Sequence, residues 1–257
     1  MNNNATPVFV INLEKSIDRK QFITEQFNNL NAHVSHIINY QFFPAINGKE
    51  NPDFYLFEKY NQEKRLKRKG HTMNLSQLGC WASHYLLWEK CMELNQGIIV
   101  LEDDAIIHNN FLDVYQFCSS PENTFEFFWL SPPAPRKRGQ KGKILHNIDN
   151  TKNSVSRFYD AWENATGYFI TPQAAKKLIN YSQEWIYDVD ITMDRYWENK
   201  IDYLAVEPSC IEPDFSKESN IPVQKKLGKT RTLKTKLNHE YFNLIDRIKK
   251  IIYNISK

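Results

Sequence analysis

Four consecutive apolar residues, Ile98-Ile99-Val100-Leu101, run straight into three carboxylates, Glu102-Asp103-Asp104. An unbroken apolar run of this kind reads as a strand with both faces buried. Sheets that contain such strands carry helices on both sides, so the segment points to an α/β architecture. Three adjacent carboxylates at the end of such a strand are costly unless something cationic meets them. In an open α/β sheet, ligands bind outside the carboxyl ends of the strands, which is where this acidic turn falls. A hard divalent ion takes oxygen ligands and is commonly held by one or two carboxylates plus substrate phosphates. Strand alternation puts Glu102 and Asp104 on one side and Asp103 on the other. The alternative is an exposed acidic turn that binds nothing.

The rest of the chain supports an α/β reading. Val8 to Leu13 reads as another buried strand, and Phe22, Ile23, Phe27 and Leu30 then follow a helical stripe, with Asp18 and Gln21 in capping-box spacing. A second strand is expected at Val34 to Ile38, and a βαβ opening of this kind has a right-handed crossover. Residues 59–71, with Lys64, Arg65, Lys67, Arg68, Lys69 and Gly70, read as a mobile basic loop. That loop is either solvated or in contact with phosphates. A helix from Ser76 as cap to about Asn95, strands at Phe125 to Leu130 and Tyr168 to Ile170, and a helix opened by Thr171-Pro172 follow. The stretch from Ser131 to Lys143 is expected to be loop. Asp188 to Asn199 is expected to be helical and Tyr203 to Val206 a last strand.

The chain has 257 residues and a net charge of +3. Residues 225–257 hold ten Lys/Arg and two Asp/Glu, which leaves 23 basic and 28 acidic groups for the rest. The expected division is therefore a catalytic domain over residues 1–224 and a basic tail over 225–257. In the tail Leu237, Tyr241, Leu244, Ile245, Ile248, Ile251 and Ile252 recur at near-helical intervals. Two readings stand for it: an interfacial helix on an anionic membrane, or a helix docked on its own domain. No stretch approaches the length of a membrane span. Residues 1–13 lack the basic start and long apolar run of a signal peptide. The expected location is the cytoplasm, peripherally at the inner face of the cytoplasmic membrane. The four cysteines, Cys80, Cys91, Cys118 and Cys210, show no metal or redox spacing and read as reduced thiols.

Several segments together carry a family likeness. They are Val8 to Leu13 with Asp18-Arg19, Gly79-Cys80-Trp81-Ala82-Ser83-His84, and Leu101-Glu102-Asp103-Asp104-Ala105. Thr166-Gly167-Tyr168 ahead of Ala174-Ala175-Lys176-Lys177-Leu178, Val189-Asp190 and Glu207-Pro208 complete the set. In order and spacing they resemble glycosyltransferase family 25, which includes bacterial lipooligosaccharide galactosyltransferases and collagen galactosyltransferases. The likeness covers roughly residues 7–222.

The resemblance implies a GT-A type, Rossmann-like nucleotide-sugar-binding domain with a mixed, mostly parallel sheet. It also implies a UDP-galactose-type donor, a Mn²⁺ (or Mg²⁺) ion, inversion at the anomeric carbon and a lipid-linked oligosaccharide acceptor. Asp104 and Glu102 would then hold the metal. Asn12, Arg19, Ala45, Gly48, Ser83, His84, Glu102, Asp103 and Gly167 are the candidates for donor contact. Arg19 has a bland alternative as a surface charge, His84 as a structural histidine, and Gly48 and Gly167 as turn glycines. Asp188, Asp190 and Asp194 cluster at a helix start, and Asp188 alone reads equally well as an N-cap. Where family members often have Pro-Val-Asp, this chain has Asp188-Val189-Asp190, so Asp190 matches the family's base and Asp188 is an added carboxylate. All of these carboxylates precede residue 225, so the tail is expected to be dispensable for chemistry. The rival readings are a nucleotidyltransferase, which lacks support from any Gly-rich basic loop after the first strand, and a non-catalytic glycan-binding module.

Overall fold

The computed structural model describes residues 5–32, 37–216 and 233–255. In chain order the elements are β1 (Val8–Asn12), α1 (Ile17–Asn31), β2 (Tyr40–Pro44), α2 (Gln62–Lys69), α3 (Leu75–Leu94), β3 (Ile98–Glu102), β4 (Ala105–Ile107) and α4 (Phe111–Cys118). Then come β5 (Phe127–Trp129), β6 (Lys143–Asn147), β7 (Ser154–Arg157), β8 (Gly167–Ile170), α5 (Pro172–Tyr181), α6 (Val189–Met193), α7 (Tyr196–Asn199), β9 (Leu204–Glu207), β10 (Ile211–Pro213) and α8 (Leu233–Ile255).

The apolar strands are buried on both faces, as their sequences require. Along β1 and β3 alternate side chains enter two separate cores: Phe9, Ile11, Ile98 and Val100 face one, and Val8, Val10, Ile99 and Leu101 the other. On the first side α3 supplies Trp81, Tyr85 and Trp88, and α5 supplies Ala174, Ala175 and Leu178. On the second side α1 supplies Ile23, Phe27 and Leu30, and α4 supplies Phe111, Val114 and Phe117. Full burial of each large side chain contributes about 1.5–3 kcal/mol. The result is a three-layer α/β/α arrangement around an eight-stranded sheet of order β2-β1-β3-β8-β5-β9-β7-β6. Within it β7 and β8 run against the other strands, so the sheet is mixed with one dominant direction. The parallel trio β2-β1-β3 aims its carboxyl ends at one edge, and Glu102 stands there.

Several local expectations are corrected. The second strand is at Tyr40–Pro44; of the expected Val34 to Ile38, residues 34–36 lie outside the described residues. Ile38 is kept out of the ladder because the Asn31 side chain takes both its N–H and its carbonyl. Tyr40 instead stacks on Phe27 at 4.1 Å between ring centroids, which fixes the strand against α1. Helix α1 starts at Ile17 with no side-chain cap, and Gln21 bonds to Glu25 rather than back to the first turn. Helix α3 is capped by Asn74, not Ser76: Asn74 Oδ1 accepts from the Gln77 N–H, and Gln77 Oε1 accepts from the Asn74 N–H.

The basic run 59–71 is not a loop but contains α2, opened by the Asn61 side chain and closed by Gly70 at φ 77°. The Asp188–Asn199 helix is split into α6 and α7, because the inward-turned Asp194 carboxylate bonds to neighbouring loops instead. Elements with short or irregular apolar patterns, β4, α4, β6, β7 and β10, carry too weak a periodicity to be read from sequence.

The tail forms α8 and packs against α2 and α7. Its docking face is largely polar. Arg195 makes a bidentate pair with Asp246, Lys249 meets Glu198, Lys250 meets Asp160, and Phe242 lies under Arg68. The apolar stripe faces outward: Leu237, Tyr241, Leu244, Ile248 and Ile251 are each at least 48% exposed. Among the described residues no helix is long and apolar enough to cross a membrane.

The capping assignment has a direct check. Asn74→Ala removes the side-chain half of the capping box, the acceptor for the Gln77 N–H, and should lower stability by about 1 kcal/mol, seen as a fall of roughly 2–4 °C in Tm for a chain of this size. Ser76→Ala should leave Tm unchanged in the same thermal scans.

Candidate active site

A cavity of about 720 Å³ opens at the carboxyl end of β3, with Gln77, Cys80, Glu102, Glu163, Asp188 and Asp190 in its wall. In the acidic turn Glu102 lines the cavity, whereas Asp103 and Asp104 both approach Arg19, so the turn does not follow a simple strand alternation. Asp103 points away from the cavity and is 7% exposed. Its Oδ1 accepts from Arg19 at 2.7 Å and its Oδ2 from Asn12 at 2.8 Å. Burial pushes the Asp103 carboxyl up, and the bonds from Arg19 and Asn12 pull it back. Three of the candidate donor-contact residues, Asn12, Arg19 and Asp103, thus form one buried network beneath the site. Arg19 is a buried partner of Asp103, not a surface charge.

Glu102 faces the cavity. Asp104 is half-buried, its Oδ1 has no hydrogen-bond partner, and its Oδ2 has Arg19 at 3.7 Å. Burial, then the like charge of Glu102, hold the Asp104 carboxyl well above the usual carboxylate range. An orphaned buried carboxylate oxygen beside a second carboxylate is the donor set a hard divalent ion takes, so these two residues fit one.

Other predicted contacts support the wall from behind. Ser83 and His84 are 0% exposed. Ser83 Oγ accepts from the Ile46 N–H and donates to the Gly79 carbonyl, which ties the loop after β2 to α3. Ala45 belongs to that loop and donates its N–H to the Asn12 carbonyl. The approach is close enough that a Cβ on Gly48 would stand 2.0 Å from the Leu75 carbonyl oxygen. Gly167 is buried, and a Cβ there would press on Leu101 and Ile211 at 3.1 Å. Ser83, Gly48 and Gly167 are therefore packing and bonding residues of the interior, and His84 is buried behind Glu102 in the cavity wall.

His84 sits in a buried chain. Trp88 Nε1 donates to the Tyr168 hydroxyl, which lies 3.0 Å from His84 Nδ1, and His84 Nε2 is 3.4 Å from Glu102 Oε1. The cavity-lining Cys80 has its thiol held well up by burial, then by Glu102, and is kept neutral.

The three aspartates of the opposite wall differ in what is left to them. Asp188 has one partner on each oxygen: Arg65 binds Oδ2 at 3.0 Å and Gln77 donates to Oδ1 at 2.8 Å. Asp194 accepts from the Trp162 and Glu163 N–H groups and from the Tyr203 hydroxyl, and it holds the loop that carries Glu163. That loop residue adopts φ 54°, a left-handed conformation uncommon outside glycine. Asp190 keeps a single hydrogen bond among the described residues, from the Ile191 N–H, and lines the cavity. Burial first, then the charges of Asp188 and Asp194, raise its carboxyl to about 7.

The sequence profile described as "Glycosyltransferase family 25 (LPS biosynthesis protein)" matches residues 5–193. The chain belongs to glycosyltransferase family 25. Family 25 relatives include a "Glycosyltransferase 25 family member" of Aedes aegypti, 32% identical over 67% of this chain, and one of Anopheles gambiae, 26% identical over 67%. This chain spans 27% and 28% of the length of those two proteins. "Lipooligosaccharide biosynthesis protein lex-1" of Haemophilus influenzae is 25% identical, covering 98% of this chain and 91% of that protein. "Procollagen galactosyltransferase 1-A" of Xenopus laevis is 27% identical over 67% of this chain.

Sequence reasoning missed several residues that line or support this cavity: Arg65, Gln77 and Glu163. Arg65 is 1% exposed and comes from the run read as a loop. The Asn61 and Gly70 punctuation around it was the available signal for a helix with one buried face. Gln77 was hidden because it works twice, in the α3 capping box and on Asp188.

The state of Asp190 has a consequence for stability. Its folded-state carboxyl lies near 7, above the ordinary 3.8, so the folded protein prefers it protonated. Its ionisation therefore costs stability, a cost that builds from about pH 4 to 7 and is complete above that. Asp190→Asn should unfold at a higher temperature than the parent chain at pH 8. The gap should close as the pH approaches 4, in thermal scans across a pH series.

Proposed function

We propose that the chain is an inverting, metal-dependent hexosyltransferase of GT-A type. It moves galactose from UDP-galactose to a lipid-linked oligosaccharide of the lipooligosaccharide class at the cytoplasmic membrane face. The observation that carries this reading is Asp190, a carboxylate raised to about 7 and open to a cavity that has Glu102 in the same wall. A general base works best with a pKa near the operating pH. Asp188 is held by Arg65 and Gln77, and Asp194 by Trp162, Glu163 and Tyr203, which leaves Asp190 with the fewest hydrogen bonds of the three among the described residues.

Inversion is a single displacement, so the acceptor hydroxyl must lose its proton as the bond to the anomeric carbon forms. Asp190 takes that proton in this reading. Arg65 and Gln77 hold Asp188 still beside it, and the charge of Asp188 helps keep Asp190 basic. Asp104 and Glu102 would hold the divalent ion, Mn²⁺ or Mg²⁺, which supplies charge neutralisation for the departing diphosphate. Asp103, locked to Arg19 and Asn12, sets the turn so that Glu102 lines the cavity and Asp104 keeps one oxygen without a hydrogen-bond partner. The galactose and lipooligosaccharide assignments are supported by the names of the Xenopus and Haemophilus relatives.

Asp104→Ala should lose most transfer, measured as nucleoside diphosphate release over a nucleotide-sugar panel with and without Mn²⁺. It should also lose the rise in Tm that Mn²⁺ gives the parent chain; full activity in chelator would overturn the metal assignment. Asp190→Asn should keep donor binding and lose about 10²–10⁴ in turnover. Because the base acts when ionised, turnover of the parent chain should climb with pH through about 7. An Asp188→Asn variant that alone shows this loss would transfer the base role to Asp188.

The outward stripe on α8 supports peripheral attachment to an anionic membrane. It runs about 27 Å from Leu237 to Ile255 at 1.5 Å per residue, the geometry of a helix lying in the interface. Lys249 and Lys250 are paired with Glu198 and Asp160, so apolar burial carries more of the attachment than the tail's net charge implies. Ile248→Glu with Ile251→Glu should release the protein from vesicles containing phosphatidylglycerol while transfer to a soluble acceptor continues. Asp246→Ala should instead lower transfer to both acceptors, since it frees Arg195 next to the aspartate cluster. Equal losses from both variants on the soluble acceptor would mean that the stripe is not a membrane face.

A further inference from the structure

Cys80 and His84 stand one helical turn apart on α3, on the side that meets the end of β3. Cys80 Sγ, a His84 ring nitrogen and a Glu102 carboxylate oxygen all lie within 4.8 Å of one another. The Glu102 oxygen is 3.4 Å from His84 Nε2. Ligand atoms at about 2.0–2.3 Å from a tetrahedral ion stand about 3.3–3.8 Å apart, so these three need only small movements to share one ion. We propose that Cys80, His84 and Glu102 form a Zn²⁺ site that competes for Glu102 with the hard-ion position at Asp104.

The donor set selects the ion. Thiolate, imidazole and carboxylate together suit Zn²⁺, whereas Mn²⁺ and Mg²⁺ prefer oxygen alone. Entry is open, because Cys80 and Glu102 both line the cavity, and the fourth position faces that space and can take water. His84 is held from behind by Tyr168, the kind of support that orients a ligating histidine.

The protons balance in both states. Without metal, the Trp88 N–H donates to the Tyr168 oxygen, the single Tyr168 proton serves His84 Nδ1, and the Nε2–H serves Glu102. With metal, the imidazole proton moves to Nδ1 and donates to the Tyr168 oxygen, and the Nε2 lone pair binds the ion. Cys80 releases its thiol proton to solvent, and Glu102 enters as the carboxylate. The change gives up the hydrogen bonds to His84 Nδ1 and Glu102, gains the one from Nδ1–H and three metal–ligand bonds, and releases one proton per ion. Affinity therefore falls on acidification. One consequence rests on the transferase reading: Glu102 is drawn away from the donor's metal, so Zn²⁺ inhibits transfer.

The test uses the full metal-free chain and Co²⁺ as a coloured stand-in for Zn²⁺. One equivalent should produce a near-ultraviolet thiolate-to-cobalt band and the strong visible bands of a tetrahedral ion, both removed by one equivalent of Zn²⁺. Cys80→Ser should abolish the thiolate band while Cys91, Cys118 and Cys210 remain, and His84→Gln should weaken Co²⁺ binding by about 10–100-fold. Cys80→Ala serves if the serine variant fails to fold by circular dichroism. No thiolate band in the parent chain, or a band that survives at Cys80→Ser, overturns the site. In transfer assays, Zn²⁺ inhibition should weaken at least tenfold in Cys80→Ser relative to its own uninhibited rate. Inhibition that does not weaken overturns the link to Glu102. The band without transfer on any donor keeps the metal site and removes the transferase reading.

Discussion

A strand buried on both faces that ends in three carboxylates must place three charges within a few ångströms of a low-dielectric core. Asp103 meets the cost by pairing with Arg19 and Asn12 inside the protein. That pair fixes more than its own charge. Asn12 closes β1 and Arg19 belongs to the first turns of α1, so the interaction ties β1, α1 and the end of β3 into one rigid corner. With Asp103 turned inward, Glu102 projects to the cavity and Asp104 keeps an oxygen without a partner. Breaking such a buried pair by removing one partner typically costs about 3–5 kcal/mol.

The opposite wall uses the same logic on a different scale. Of three aspartates within seven residues, two are held by donors from distant parts of the chain and one is left nearly bare. The two bonded carboxylates then act on the third through space, and together with burial they raise it to about 7. Burial raises Asp194 to about 7 as well, so Asp190 is set apart from it by its opening to the cavity rather than by its proton affinity. Of the donors to Asp188, Arg65 is 1% exposed and is held by its own helix cap and by the Ile186 carbonyl.

Helix α8 adds a mechanical link. Its polar face is consumed by the body, through Arg195, Glu198 and Asp160, and Arg195 directly follows Asp194 in the chain. The tail therefore touches the segment that bears the aspartates. Its apolar face remains outside, which inverts the usual arrangement of an amphipathic helix on a globular body.

The sequence by itself determined the covered strands, because an unbroken apolar run has no other stable environment. It also determined the αβ alternation, the Thr171-Pro172 helix start and the position of the acidic turn at the end of β3. It pointed to Asp190 through the family's Val-Asp pattern. The tertiary structure decided everything that depends on who meets whom. It turned Arg65 from a loop charge into a buried clamp, moved the second strand to Tyr40–Pro44 through Asn31 and the Phe27–Tyr40 stack, and sent Ser83, His84 and Gly167 into the interior. It also brought Cys80 and His84 to Glu102, a convergence of α3 and β3 that no spacing in the cysteines announces. Burial and hydrogen-bond saturation are properties of pairs far apart in the chain, whereas periodicity and end signals are local. That is why the elements are legible in the sequence and the partners are not.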